Sequence, residues 1–267
     1  MKGNDRPIGI FDSGLGGLTV YKAVRELLPG ENVVYFGDTA RVPYGTKSPG
    51  AVVAFSKEIS RCLFDKRIKF LIVACNTASS VALEEIRKIS PVPVLGVIAP
   101  GVEAAAGLVP RNGRILVTGT SATMASRAYS DALLAARPDV KVFEQACPLF
   151  VPLVEEGWCA KPLALLVARE YLAGFKTKKI DAVILGCTHY PLLKRTISRV
   201  LGARVRVVDS ALAAALSVQR ALLRAGLLNP GRTGKAAFMV SDAPERFSAL
   251  AFRLLGIKTG KVEVVRL

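Results

Sequence analysis

Short runs of aliphatic and β-branched residues recur along the chain, separated by stretches whose apolar positions repeat every three or four residues. The runs predict strands at 7–11, 32–36, 70–74, 92–96, 114–119, 140–146, 181–186, 204–209, 235–240 and 261–267. Each is short and bounded by turn-forming residues, as buried strands are. The stretches between them predict helices at 17–28, 50–66, 77–89, 121–136, 162–174, 190–201, 211–226 and 244–255. Strands alternating with amphipathic helices make βα units, so the expected fold class is α/β with mainly parallel sheets flanked by helices.

Two stretches in different halves of the chain resemble one another. LIVACNTA (71–78) and VILGCTHY (183–190) each run an apolar strand into Cys75 or Cys187 and then into polar residues. GIFDSG (9–14) is echoed at nearly the same offset by LVTGTS (116–121). The chain therefore reads as two related halves, each offering a polar strand end and one cysteine. Ligands of open parallel sheets bind in the crevice beyond the carboxyl ends of the strands. Two halves facing each other would bring Cys75 and Cys187 to one ligand from opposite sides. A cysteine after an apolar strand ordinarily packs in the core, and Cys62, Cys147 and Cys159 keep that role. The matched pair, each followed by hydroxyl, amide or imidazole groups, points to chemistry.

Two acid–base groups on opposite faces of a carbon can invert it, one removing a proton and the other supplying one. A thiol with a reference pKa of ~8.5 suits either part. Relays for the protons are available in Asp12, at the end of the first strand, in His189, the chain's one histidine, and in Glu155. Spacing alone does not choose between Glu155 and Glu156, and Asp12 would serve equally as a cap on helix 17–28. Ser13, Asn76, Thr77, Thr120, Thr123 and Thr188 are neutral donors at strand-to-helix turns, where free backbone N–H groups favour an anion. DTARVPYGTKSPG (38–50) reads as a shaped loop that brings Tyr44 and Gly45 over a ligand.

Composition narrows the setting. A chain of 267 residues with 51% hydrophobic content buries a real core. Its apolar runs are broken by charge, Gly or Pro well short of the ~20 residues of a membrane span, and MKGNDRPIGIF has no signal-peptide core. A cytoplasmic protein is expected. Five cysteines without a C-x-x-C pair suggest free thiols. The net charge of +16 is spread along the chain without an aromatic-interleaved basic strip, which favours steering of a small anion over nucleic-acid binding. DSGLGGLT fails the dinucleotide pattern at Thr19, and GRTGKA (231–236) fails the P-loop pattern at Asn229 and Ala236. Cys75, Cys187 and His189 lack the paired spacing of a zinc site.

IGIFDSGLGGLTV, YFGDTARVPYG, IVACNTAS, VPVLGVIAPG, ACPLFVPLVEEG and ILGCTHYPLL, in this order, closely resemble the glutamate racemases. The resemblance implies cofactor-independent interconversion of L- and D-glutamate, supplying D-glutamate for peptidoglycan. It implies Cys75 and Cys187 as proton carriers, Cys75 facing the α-proton of the D-enantiomer and Cys187 that of the L-enantiomer. Asp12, Glu155 and His189 match auxiliary acid–base positions. Asp12–Ser13, Tyr44–Gly45, Asn76–Thr77 and Thr188–His189 match substrate contacts, and Asp38 matches a further acidic position. The family fold implies one domain from 1–98 plus 210–267, a second from 99–209, an active site in the cleft between them, and a homodimer. Two alternatives stay open: an aspartate racemase of the same superfamily, and a basic binding protein on an α/β scaffold.

Overall fold

The computed structural model describes residues 3–267, so the first two residues of the N-terminal stretch considered above lie outside it. Ten strands are present among the described residues: β1 (Ile8–Asp12), β2 (Val33–Gly37), β3 (Phe70–Val73), β4 (Val94–Gly96), β5 (Arg114–Gly119), β6 (Lys141–Ala146), β7 (Ala182–Gly186), β8 (Arg206–Asp209), β9 (Ala236–Val240) and β10 (Val262–Val264). Each falls within a residue or two of its predicted run, except β10, which is shorter. The helices are α1 (Leu18–Leu27), α2 (Pro49–Asp65), α3 (Asn76–Val81), α4 (Leu83–Ile89), α5 (Ile98–Leu108), α6 (Ser121–Ala125), α7 (Ala128–Ala136), α8 (Phe150–Glu155), α9 (Pro162–Leu172), α10 (Lys194–Leu201), α11 (Ser210–Arg224) and α12 (Pro244–Leu255).

The strands form two sheets in which every pairing is parallel. One has the order β10-β9-β2-β1-β3-β4 and the other β6-β5-β7-β8. Without the two C-terminal strands at its edge, the first sheet repeats the order of the second, β1 corresponding to β5 and β3 to β7. The internal sequence repeat is thus a repeat of topology. Successive strand residues point to opposite faces, which sorts the core into layers. Ile8, Ile10, Tyr35 and Ile72 pack with α1 and α11 residues on one face of the first sheet, and Phe11, Phe36, Leu71 and Val73 pack with α2 and α3 residues on the other. Leu116, Val183 and Leu185 face α9 and α10; Ile115, Val117 and Ile184 face α5 and α7. Sheets covered on both faces explain strands that read as continuous apolar runs.

Three predicted helices are broken. The 77–89 stretch divides at Ala82 into α3 and α4, where Ser79 donates to the Val73 carbonyl and Ser80 to that of Thr77. Hydroxyls of this kind compete with the helical backbone pattern. The 121–136 stretch breaks at Arg127, which takes a left-handed conformation with φ 56, and the start of 190–201 is a 3₁₀ turn, Tyr190–Leu193, containing Pro191. Two helices lie in stretches with no helical prediction: α5, with Pro100 and Gly101 in its first turn, and the one-and-a-half-turn α8. Proline is tolerated in a first turn because its missing N–H would be unpaired there anyway. No helix among the described residues is long and apolar enough to cross a membrane.

One buried ion pair ties two distant segments to the first sheet. Lys69, just before β3, places its Nζ 2.6 Å from Glu31 Oε2, and both side chains are buried. The same ammonium donates to the carbonyls of Asn4 and Leu227, and Glu31 accepts from the Asn229 N–H. The pair therefore anchors the N-terminal turn and the α11–β9 connection together. Lys69→Met leaves a buried carboxylate unpaired, and we expect a loss of about 3–5 kcal/mol in unfolding free energy from urea denaturation. The double variant Lys69→Met/Glu31→Gln should recover most of it. A loss under about 1 kcal/mol in the single variant would mean that water reaches the pair.

Candidate active site

The carboxyl edges of the two sheets face one another across a cleft with ≈ 450 Å³ of atom-free space, part of it open to solvent. Each sheet delivers its residues from the strand ends where the order switches direction, β1 and β3 in one, β5 and β7 in the other, the usual ligand position in open parallel sheets.

On the first sheet, β1 ends at Asp12, which is fully buried and accepts from the Gly14 N–H at 3.0 Å. The loop after it passes so close to the second half that a Cβ on Gly16 would lie 2.3 Å from Thr188 Oγ1 and 2.5 Å from His189 Nδ1. Tyr35 donates to the Gly14 carbonyl at 2.8 Å and holds this loop from below. β3 leads to Cys75, which caps α3; its sulfur accepts from the Ala78 N–H at 3.5 Å. Asn76 follows. Its Oδ1 accepts from the Tyr129 hydroxyl at 2.7 Å, and its buried Nδ2 has no partner among the described residues.

On the second sheet, Thr120 follows β5 and caps α6. The hydroxyls of Thr77, Thr120 and Thr123 lie 2.9–3.1 Å apart in a triangle that spans the two halves. β7 leads to Cys187, Thr188 and His189, all buried. Cys187 Sγ is 3.9 Å from His189 Nδ1, and His189 Nε2 is 3.1 Å from Glu155 Oε1. Glu155 ends α8 and lines the cleft, whereas Glu156 is exposed outside it. Of the two glutamates that sequence spacing left open, Glu155 is the one placed at the cleft.

The 38–50 loop closes the cleft at one side. Asp38 is buried and accepts from Tyr44 at 2.5 Å, from Arg41 at 2.7 Å and from Ser241 at 2.7 Å. Gly45 approaches the second half so closely that a Cβ would meet Thr120 Cβ at 2.7 Å.

Of the residues expected at the site, Ser13, Tyr44, Gly45, Cys75, Asn76, Thr77, Thr120, Glu155, Cys187, Thr188 and His189 line the cleft. Asp12 and Thr123, expected as substrate contacts, instead stand behind its wall, Asp12 within reach of the Thr188 hydroxyl at 3.4 Å and Thr123 beneath Thr77 and Thr120. Both are positioned to act through another residue. Cys62, Cys147 and Cys159 belong to apolar clusters and do not line the cleft, and all five cysteines are free. Gly16, Tyr35 and Tyr129 were missed: the glycine-rich loop invited only comparison with a dinucleotide motif, and a tyrosine in an apolar strand or an amphipathic helix carries no signal of its partner. Among the described residues no group of three His, Cys, Asp or Glu side chains is placed to hold a metal ion.

The two cysteines occupy equivalent strand ends in unlike electrostatic surroundings. Burial and the neighbouring Asp12 push the Cys75 thiol up to about 12, against the opposing hydrogen bonds from Ala78 and Ser13. Burial alone would lower the basicity of His189, but Cys187 and Glu155 outweigh it and push the imidazole up to about 10. The His189 contact holds Glu155 below its ordinary value, and burial raises Asp12 despite the nearby His189 and the N–H groups of Gly17 and Gly14. One side of the cleft thus carries a protonated thiol, and the other a cysteine beside an imidazolium and a carboxylate.

A profile of the Asp/Glu/Hydantoin racemase family matches residues 8–218. The glutamate racemase of Geobacter metallireducens is 50% identical over 263 residues, covering 98% of this chain and 97% of that one. Among solved structures, glutamate racemase from Thermus thermophilus in complex with beta-chloro-D-alanine is 48% identical with a TM-score of 0.90, covering 99% of this chain and 98% of that one. Glutamate racemase from Francisella tularensis in complex with D-glutamate is 38% identical with a TM-score of 0.92, covering 98% of each chain. Similarity of sequence and fold over nearly the whole chain, with a cysteine at each of two facing sheet edges, places this protein: the chain belongs to the Asp/Glu/hydantoin racemase family, in its glutamate racemase branch.

Proposed function

We propose that the protein interconverts L- and D-glutamate without a cofactor, by proton transfer between two cysteines. The observation that carries this reading is the pair Cys75 and Cys187, presented to one cleft from two different sheets. From L-glutamate, Cys187 as thiolate beside the His189 imidazolium takes the α-proton, and the C–H electron pair stays on the α-carbon. Cys75 then gives its S–H proton to the opposite face and keeps that bond's electrons as thiolate. One C–H bond is broken, one is formed, and a proton has moved from Cys75 to Cys187; D-glutamate reverses every step. A buried Cys75 thiolate is a strong base, which suits it to reclaim a proton from a weakly acidic carbon. His189 with Glu155 on one side, and Asp12 on the other, are the groups that restore the starting charge.

Substrate carboxylates would be held by neutral groups. Ser13, Thr77, Thr120 and Thr188 offer hydroxyls, and Asn76 offers its unpartnered N–H. Glutamate's length places its α-carbon between the sulfurs while both carboxylates are bound. Aspartate would leave buried donors unpaired, at ~1–3 kcal/mol for each. The division into 1–98 plus 210–267 and 99–209 is part of the same reading, supported by α5 packing under β7 and β8 and by α11 joining the core of the first sheet. So are a cytoplasmic setting, supply of D-glutamate to peptidoglycan, a basic surface that steers the substrate and does not bind nucleic acid, and a homodimer. Sedimentation at micromolar concentration should give twice the 28.4 kDa chain mass; a single chain at that concentration would remove the dimer from the proposal.

The activity is tested by circular dichroism of L-glutamate, and separately of L-aspartate, incubated with the protein and a chelator. The signal from glutamate should decay to zero, and much faster than that from aspartate. Cys75→Ser and Cys187→Ser should each lose at least ~10²-fold in both directions, the lower range of general acid–base contributions. Because the enantiomers have equal free energy, kcat/KM must stay equal in the two directions in every variant. Retention within tenfold by either variant would rule out the two-thiol route.

The charge on His189 has a direct readout, since the chain has one histidine. Its imidazole Cε1–H resonance should keep the protonated shift through neutral pH and titrate near the raised value of about 10. Its folded pKa lies above the reference ~6.5, so the linked stability is fully present below that value and is lost as pH rises toward 10. In Glu155→Gln the titration should move down. A wild-type titration near the reference value would refute the imidazolium beside Cys187.

A further inference from the structure

Tyr129 belongs to α7, in the half of the second sheet, yet its hydroxyl bonds a residue next to Cys75 in the other half. It is fully buried. The left-handed Arg127 turns the chain just before α7 and so sets where Tyr129 enters. Its ring packs against Gly186, where a Cβ would lie 3.1 Å from Cε2, one residue before Cys187. Tyr129 thus touches the strand end that carries one cysteine and the side chain that follows the other.

A carboxamide has two ends of nearly equal size and opposite polarity, so shape alone does not fix which faces a ligand. Facing the cleft with Oδ1, Asn76 would repel a carboxylate; facing it with Nδ2, it donates. Tyr129 gives its proton to Oδ1 at 2.7 Å, while Nδ2 is buried without a partner at the cleft wall. Burial, only partly offset by Ser210, keeps the phenol protonated far beyond neutral pH, so the donor is permanent. An unpaired buried N–H is costly, and an arriving carboxylate is the acceptor that relieves it.

We propose that Tyr129 is a positioning residue that fixes the Asn76 carboxamide with Nδ2 toward the cleft, so that the site presents a donor to a substrate carboxylate. The proposal rests on the dicarboxylate reading of the site above. It predicts that Tyr129→Phe, which removes one oxygen from an otherwise unchanged ring, raises KM for both enantiomers of glutamate about tenfold, the scale of one hydrogen bond to a charged group, and changes kcat by the same factor for both. The decisive measurement is a double-mutant cycle on the Kd of glutarate, a dicarboxylate without a stereocentre, across wild type, Tyr129→Phe, Asn76→Ala and the double variant. If Tyr129 acts through Asn76, Tyr129→Phe weakens glutarate about tenfold in the wild-type background and less than about twofold in the Asn76→Ala background. Equal losses in both backgrounds, or none in the first, would overturn the proposal. Should Tyr129→Phe fail to fold, the wild type answers: the Asn76 side-chain amide protons, identified by their loss in Asn76→Ala, must shift on glutarate addition, and unshifted protons overturn it. Binding of glutarate is independent of turnover, so failure to racemise glutamate would count against the proposed function and leave the cycle readable.

Discussion

Two thiols can serve opposite faces of one carbon only if the sheets carrying them are held at a fixed separation, and that separation rests on buried hydrogen bonds across the cleft. Thr19 donates to the Thr188 carbonyl at 3.0 Å, Thr188 reaches Asp12, Tyr129 reaches Asn76, and Thr77 meets Thr120 and Thr123. Arg253 adds a clamp from α12 to the Glu155 carbonyl at the end of α8, where cations are favoured. Each such bond contributes only about 0.5–1.5 kcal/mol net, but its direction is specific. Greasy contact between the halves would hold them together without setting the position of a sulfur to within an ångström.

The apolar core is sorted by the two sheets, and hydrogen bonds cross the seam between them. Its four clusters lie above and below the two sheets, and two of them reach the cleft at Tyr44, Cys75 and Cys187. The halves also touch outside the cleft, where α11 packs against α5 and α12 against α8.

The repeated topology accounts for the placement of the cysteines, and their neighbours account for their difference. The shared strand order puts Cys75 and Cys187 at equivalent ends of β3 and β7. Their neighbours are not equivalent: Asp12 beside one, His189 and Glu155 beside the other. Two identical environments would favour the same protonation state at both sulfurs. Inversion as proposed needs one donor and one acceptor at any instant, and unlike surroundings are compatible with that need.

Ten strands, the α/β class and both cysteine turns could be read from the chain because they depend on local pattern: apolar runs, periodicity and turn residues are properties of neighbouring positions. The helix breaks at Ala82 and Arg127 escaped that reading, since a serine hydroxyl bonding the Val73 carbonyl and a left-handed residue are set by what packs nearby. The α5 helix was hidden by Pro100 and Gly101, whose breaking effect vanishes in a first turn. Glu155 and Glu156 are identical to any local pattern, and only the rotation of α8 against His189 separates them. Tyr129 and Gly16 owe their places to residues more than fifty positions away. The sequence by itself determined which residues end the strands and which reactive side chains stand there. The tertiary structure alone decided which of them meet, which stand one layer behind, and which protons they hold, because hydrogen bonds and charge act through space and not along the chain.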